Sequence, residues 1–179
     1  MQPDYNIETH KHNFAVWTAA RAVQRNFTNT KAIAGAIGKA ELHKSVCAFE
    51  FESFSDKKFD SLHVEIANKI LANLPVKKED KREKYGRAAK IIAIYIKTYH
   101  ILGNPTSSLS KVAHPPVDRI LLSKLYRNNG ELKKLNVADT AWTNLSEKDY
   151  FEVINELRIV QEKHKLEYFW MIEAGWKAF

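Results

Sequence analysis

Among the residues that could do chemistry, Asp118 has the most distinctive surroundings. It follows Pro115 and Pro116 and precedes an apolar run that starts at Ile120. Prolines fix the backbone where it enters a helix, so this spacing predicts a carboxylate in or next to the first helical turn, where the helix dipole favours its charged form. A rigidly held carboxylate can stabilise positive charge that develops on a substrate. An ordinary helix cap shows the same pattern, and the sequence leaves both interpretations open.

Lys90 is the second residue that could act on a substrate. It is the only charged residue between Ala88 and Ile96, in the most apolar part of the chain. Burial disfavours the ammonium form, which would make the amine a nucleophile able to form a Schiff base. A lysine that reaches solvent along its methylene stem is the alternative that the sequence leaves open.

Positive charge is concentrated just before this apolar segment. The chain has 28 Lys and Arg residues against 21 Asp and Glu residues, which gives a net charge of +7. Such a balance favours a polyanionic partner such as nucleic acid, with a merely solvated basic surface as the alternative. The residues expected to contact phosphates are Lys77, Lys78, Lys81, Arg82, Lys84, Arg87 and Arg119.

Residue counts exclude several classes of site. The single cysteine, Cys47, cannot form an internal disulfide or a cysteine-based metal site, and the seven histidines include no pair four residues apart. We therefore expect no metal and no cofactor. The absence of a glycine-rich phosphate loop argues against nucleotide hydrolysis. Cys47 lies in an apolar run without an obvious basic neighbour, which indicates a core residue rather than a nucleophile.

The chain carries no hydrophobic signal of membrane insertion or export. No apolar run reaches the roughly 18 residues that a membrane span requires. The first residues, Met1 to Tyr5, lack the basic and apolar regions of a secretory signal. We therefore expect a soluble, cytoplasmic protein.

The spacing of apolar residues predicts an all-α fold of about seven to nine helices in one domain over residues 1–179. Residues 85–100 are apolar on nearly every side, which is typical of a buried central helix. Other helices are predicted at 13–26 with Asn13 as N-cap, through Ile33 and Ile37 to Gly38, at 40–48, at 59–74, from Pro115 to Tyr126, and from Ser146 onward. Residues 49–54 alternate like a strand but have no partner strand, so an irregular segment is predicted there.

The order of these parts resembles the helix-hairpin-helix DNA glycosylases. Residues 85–90, Tyr-Gly-Arg-Ala-Ala-Lys, are similar to the family's glycine-containing hairpin and the start of its central helix. Residues 116–119, Pro-Val-Asp-Arg, resemble the motif that opens the family's catalytic helix, and residues 14–33 resemble its opening helix and wedge region. The resemblance covers most of the chain.

The resemblance implies a DNA glycosylase that extrudes a damaged or modified base from double-stranded DNA and cleaves its N-glycosidic bond. Asp118 would be the catalytic carboxylate, and Gly86 would belong to the DNA-binding hairpin. Trp17, Arg21 and Tyr85 would form the base pocket or wedge. The enzyme would be a monomer without an iron–sulfur cluster.

The family also bears on Lys90. In members that use a Schiff-base lysine, that lysine stands two residues after the hairpin's second glycine, where this sequence has Ala88. Lys90 comes two positions later, so lyase activity is expected only if this lysine reaches the substrate.

Two other functions stay open at the level of the sequence. One is a non-catalytic helical DNA-binding protein in which Asp118 only caps a helix. The other is a protein-interaction module that uses the aromatic cluster at residues 168–171.

Overall fold

The computed structural model describes residues 5–25, 27–49, 52–75, 84–129 and 141–175, with the backbone alone for residues 126–129 and 175. All regular structure in these ranges is helical, which confirms the predicted all-α class. Eight α-helices occur there, within the predicted range of seven to nine.

The helices have the following bounds. The α-helices are α1 (Ile7–Val23), α2 (Thr30–Lys39), α3 (Leu42–Phe49), α4 (Asp56–Asn73), α5 (Tyr85–Ile96), α6 (Ser108–Val112), α7 (Arg119–Asn129) and α8 (Glu147–Lys163). A π-helical turn, Lys97–Ile101, directly extends α5. Two short 3₁₀-helices, Trp142–Asn144 and Phe169–Gly175, precede and follow α8.

Helix α5 lies at the centre of the fold, as its sequence predicts. Nine of its twelve residues are buried, and it contacts α1, α4, α8 and the short helix Trp142–Asn144. The π-helical turn continues the helical path to Ile101, so the helix predicted at 85–100 is confirmed.

Side-chain caps set the helix starts, and they correct one prediction. Helix α1 begins at Ile7 because the side chain of Asn6 accepts a hydrogen bond from the backbone N–H of Thr9, so Asn13 lies inside the helix rather than at its N-cap. The prediction for Ser146 is confirmed. Its hydroxyl accepts from the backbone N–H of Asp149, whose carboxylate in turn accepts from the backbone N–H of Ser146.

The segment predicted to be irregular, 49–54, forms no strand in its described part. Phe49 ends α3, and Phe54 donates its backbone N–H to the hydroxyl of Ser108 at 2.6 Å. The ring of Phe54 lies edge-on to Phe49 and Phe59, at 5.2 and 6.3 Å between centroids. Phe54 therefore packs against the core from a loop.

Gly86 lets α5 approach the segment before α8 closely. Its backbone N–H donates to the carbonyl of Leu145 at 3.3 Å. A Cβ on this residue would lie 1.9 Å from the carbonyl oxygen of Trp142. Because that obstacle is backbone rather than a side-chain tip, only glycine fits between the two segments.

A chain of hydrogen bonds crosses the core from α5 to α8. The two ring nitrogens of His63 pair with the hydroxyls of Tyr85 at 3.0 Å and Tyr150 at 3.4 Å. The Tyr150 hydroxyl also pairs with Nδ1 of His114 at 3.1 Å. All four side chains are buried. Burial lowers the pKa of both histidines, because an imidazolium is poorly solvated in the core, so both rings are neutral at pH 7.

This chain ends at a carboxylate on α4. His114 Nε2 lies 2.9 Å from Asp60 Oδ1, and Arg158 of α8 donates to both oxygens of Asp60 at 2.7 and 2.9 Å. Burial by itself raises the pKa of Asp60, but the hydrogen bonds and charges of His114 and Arg158 outweigh it and hold the pKa well below its usual range. The network fastens α4 to α8 and to the segment before α7.

Gly86→Ala is expected to lower the free energy of unfolding by about 2–3 kcal/mol, because the new Cβ forces α5 away from Trp142. The matched control is Gly35→Ala, at an exposed site in α2 where an added Cβ meets nothing within 4 Å. That change should raise stability by about 0.5–1 kcal/mol through helix propensity. Denaturant titration followed by circular dichroism measures both, and equal stability of Gly86→Ala and the wild type would contradict the close approach.

Acid is expected to destabilise the fold below about pH 6.5, because this value is the pKa of a histidine in the unfolded chain. Because the folded pKa values of His63 and His114 are lowered, the unfolded chain binds more protons below that pH. The free energy of unfolding should therefore fall by up to about 1.4 kcal/mol per pH unit for each buried histidine. Denaturant titrations at pH 7.5 and 5.5 test this, and His63→Gln should reduce the slope by about one histidine's share. A stability independent of pH across this range would show that these rings are not held neutral.

Candidate active site

A cavity of about 520 Å³ lies between α1, the central helical path and the start of α7. Its lining residues are Trp17, Thr18, Arg21, Ala22, Ile94, Lys97, Thr98, Pro116, Asp118, Leu121 and Glu173. Three predicted site residues, Trp17, Arg21 and Asp118, therefore line one cavity. Its volume falls in the range that small-molecule sites occupy.

Asp118 fixes the start of α7 and also borders the cavity. Its Oδ1 accepts the backbone N–H groups of Ile120 and Leu121, each at 2.9 Å. Pro115 and Pro116 are buried in the non-helical stretch before it, and the helix begins at Arg119 rather than at the prolines. The helix-cap interpretation of Asp118 is thus confirmed, and the same carboxylate faces an open cavity.

Lys90 holds the other carboxylate oxygen. Its Nζ lies 3.1 Å from Asp118 Oδ2 and 4.4 Å from the centroid of the Trp142 ring. The Lys90 side chain is only 11% exposed. It therefore neither extends into solvent nor stands alone in an apolar helix, the two arrangements expected from sequence. The amine nitrogen is instead held between a carboxylate and the face of an aromatic ring.

Two exposed aromatic rings flank the cavity on the outer face of α1. Trp17 and Phe14 are 56% and 50% exposed, and their rings stack with centroids 5.9 Å apart. Trp17 is therefore a surface residue and not part of the core. Arg21 follows Trp17 by four residues on the same helical face and is exposed, and it forms no ion pair within the described ranges. An aromatic surface and a guanidinium therefore stand side by side at the cavity.

The far wall of the cavity is an ion pair that the sequence did not reveal. Lys97 Nζ lies 2.6 Å from Glu173 Oε2. Burial raises the pKa of Glu173, against the opposing effect of Lys97. Thr98 completes this side, with its hydroxyl accepting from that of Thr18 at 3.2 Å. Lys97 could have been suspected, because it stands seven residues after Lys90 along the same helical path. Glu173 carried no such signal.

Tyr85 and Gly86 do not reach the cavity, which corrects their predicted roles. Tyr85 is 3% exposed and bonded to His63, so its ring cannot stack on a base. Gly86 is buried against Trp142 and cannot contact DNA. Both residues serve the core because the start of α5 is covered by the segment that precedes α8.

The described basic residues that were predicted to bind phosphate lie at different places in the structure. Arg87 donates to the carbonyl of Val23 at 3.0 Å and lies 4.3 Å over the ring of Phe27, so it fastens α5 to the end of α1. Arg119 is exposed at the start of α7, next to Asp118, and Lys84 is half-buried just before α5. The remaining four, Lys77, Lys78, Lys81 and Arg82, lie outside the described residues.

Cys47 differs from its prediction in one respect. It packs against the core, as expected. However, the His43 ring lies 3.8 Å from its sulfur and the Tyr99 hydroxyl lies 3.4 Å away, so a basic neighbour is present. His43 stands one helical turn before Cys47, and the sequence did carry that signal.

Comparisons with known proteins add no assignment. No protein-family model, curated protein or solved structure matches this chain. Within the described ranges, no helix has the length and apolar character needed to cross a membrane. Those ranges also contain no group of three or more His, Cys, Asp or Glu side chains that could hold a metal ion.

The pair formed by Lys90 and Asp118 is expected to show strong energetic coupling. Lys90→Met and Asp118→Asn should each lower the free energy of unfolding by about 1–3 kcal/mol, because each leaves a partly buried partner alone. The double variant should lose less than the sum, with a coupling of about 1–2 kcal/mol in a double-mutant cycle.

The matched control is the exposed pair Lys69 and Glu65 on α4, whose coupling should be clearly smaller than that of Lys90 and Asp118. Equal coupling in the two pairs would show that the Lys90–Asp118 contact is no stronger than a surface ion pair.

Proposed function

We propose that this protein is a DNA glycosylase-like enzyme that cleaves the N-glycosidic bond of a damaged or modified nucleotide. The observation that carries the proposal is the convergence of Asp118, Trp17 and Arg21 on one cavity. Trp17 and Arg21 lie on α1, whereas Asp118 caps α7, far along the chain. Together they offer a carboxylate, an aromatic face and a cation, which match the sugar, the base and the phosphate of one nucleotide.

Each of the three groups has a distinct task in this reaction. The target nucleotide leaves the base stack, and its base stacks on the exposed face of Trp17. Arg21, one turn further along α1, binds a backbone phosphate with its planar guanidinium. Asp118 lies beside the sugar and stabilises the positive charge that builds up on the ring as the bond to the base breaks. The oxygen of a water molecule then bonds to the sugar C1′, and the proton that this water loses ends on the departing base, so the products are the free base and an abasic sugar.

Lys90 is a positioning residue in this scheme. It binds Oδ2 of Asp118 while the backbone of α7 binds Oδ1, so the carboxylate is held from both sides. A carboxylate has about four acceptor positions. Oδ1 uses both of its positions for backbone N–H groups and Oδ2 uses one for Lys90, so Oδ2 keeps one position that can face a substrate. Because Lys90 is occupied by this ion pair, we expect base release without Schiff-base chemistry. The reaction requires no cofactor.

Phosphate binding outside the cavity is assigned to the basic residues of the chain. Arg119 lies at the surface next to Asp118 and is the described residue best placed for this task. The run from Lys77 to Lys84 supplies further positive charge along the sequence. The partner is double-stranded DNA with a modified base, bound by a monomer.

A non-catalytic DNA-binding protein is the second candidate. The observation that favours it is the engagement of both Asp118 oxygens in contacts that also stabilise the fold. In that case the cavity and the basic surface would bind DNA, and Asp118 would serve only α7.

Asp118→Asn is expected to slow base release by about 10²-fold or more in single-turnover reactions, while DNA affinity stays the same or improves. The amide keeps the shape of the side chain and removes the negative charge that the transition state needs. Free bases released from duplexes that carry deaminated, alkylated or oxidised bases are measured by mass spectrometry. A base that the wild type releases and Asp118→Asn does not is the substrate base.

Two controls separate chemistry from folding and from binding. Ser146→Ala removes the cap of α8, far from the cavity, and should lower stability by about 1 kcal/mol without slowing base release. Trp17→Ala should weaken binding of the modified duplex, whereas Ile159→Ala changes an equally exposed residue on α8 and should not. If wild-type protein binds these duplexes but releases no base from any of them, the protein binds DNA without catalysis and the enzyme assignment is wrong.

A further inference from the structure

A second cavity, of about 600 Å³, lies on the other side of the Lys97–Glu173 ion pair. It is formed by the π-helical turn, the loop after it and the 3₁₀-helix Phe169–Gly175. Its walls are almost wholly apolar, and the main lining residues are Ile101, Leu102, Pro105, Leu166, Trp170 and Met171. A volume and lining of this kind are typical of sites that bind small organic molecules. Nothing in the proposed reaction uses this space.

The wall contributed by the 3₁₀-helix is held in place by the core. Such a helix has three residues per turn, so Phe169 and Ile172 lie on one side of it. Both are buried, with exposures of 1% and 4%. The residues between them, Trp170 and Met171, lie on the other sides of the 3₁₀-helix and line the cavity. The cavity is therefore preformed, and a ligand would not have to order this segment on binding.

The polar groups at the cavity already have partners. Lys97 and Glu173 neutralise each other across 2.6 Å. The indole N–H of Trp170 donates to the carbonyl of Pro105 at 3.1 Å. A charged ligand would have to separate the ion pair or enter an apolar space without a counter-charge, and both are unfavourable. An uncharged ligand avoids these costs and gains from burial of its apolar surface.

We propose that this second cavity binds an uncharged, largely apolar small molecule with an aromatic or aliphatic framework. Leu102, at 71% exposure, stands at the surface of the cavity and would be covered by such a ligand. The flat indole of Trp170 provides a surface for an aromatic ring. The site is separate from the candidate active site, with the Lys97–Glu173 pair as their common wall.

The test compares two fluorescent probes that have nearly the same shape but differ in charge. Phenylnaphthylamine is uncharged, whereas anilinonaphthalene sulfonate carries a negative charge on the same ring system. Titration of the 179-residue chain should show saturable, one-to-one binding of phenylnaphthylamine, at least about tenfold tighter than that of the sulfonate. Tighter binding of the sulfonate would instead indicate an anionic ligand at Lys97 and overturn the proposal.

Variants locate the probe in this cavity. Ala174 lines the cavity and is exposed, so Ala174→Trp should fill the space without unfolding the protein and should abolish binding. Leu102→Ser should weaken binding several-fold, whereas the control Ile159→Ser, at an exposed apolar residue elsewhere, should leave it unchanged. Absence of binding to the wild type, or binding that survives Ala174→Trp, would refute the site. No nucleic acid enters the experiment, so its result is independent of the glycosylase proposal.

Discussion

The burial of α5 on nearly every side is the constraint on which the rest of the structure depends. A buried polar side chain on this helix cannot form a hydrogen bond to water, so its hydrogen-bond partner must come from another helix. Tyr85 pairs with His63 on α4. The Tyr95 hydroxyl lies 2.8 Å from Nδ1 of His12 on α1 and 3.1 Å from Nδ1 of His43 on α3. These contacts specify how the surrounding helices are placed, since apolar packing alone is less directional.

The same constraint produces the candidate site. Lys90 carries a charge into this helix, and the charge is acceptable because Asp118 lies beside it. Asp118 in turn cannot move freely, because it also caps α7. The requirement for a counter-charge in the core thus fixes a carboxylate at the edge of a cavity. A group that is immobile for structural reasons is also well prepared for electrostatic catalysis, since it needs no reorganisation during the reaction.

A second ion pair, Lys97 and Glu173, borders two cavities of different character near the π-helical turn. On one side of Lys97 and Glu173 the lining includes a cation, a carboxylate and an exposed tryptophan. On the other side the lining is apolar. The pair satisfies its own charges, so it can border an apolar space without a large penalty. A small movement of this ion pair would change the shape of both cavities.

Local features were predictable from the sequence because they depend on neighbouring residues. The central position of α5 follows from its apolar circumference, and Ser146 and Asp118 at helix starts follow from the chemistry of caps. The meeting of Lys90 with Asp118, 28 residues apart, and of Lys97 with Glu173, 76 apart, left no local pattern. The segment that covers the start of α5 also left no local pattern, although it buries the residues that were predicted to form a surface hairpin. These features arise only when helices pack, because packing decides which side chains meet and which lose water.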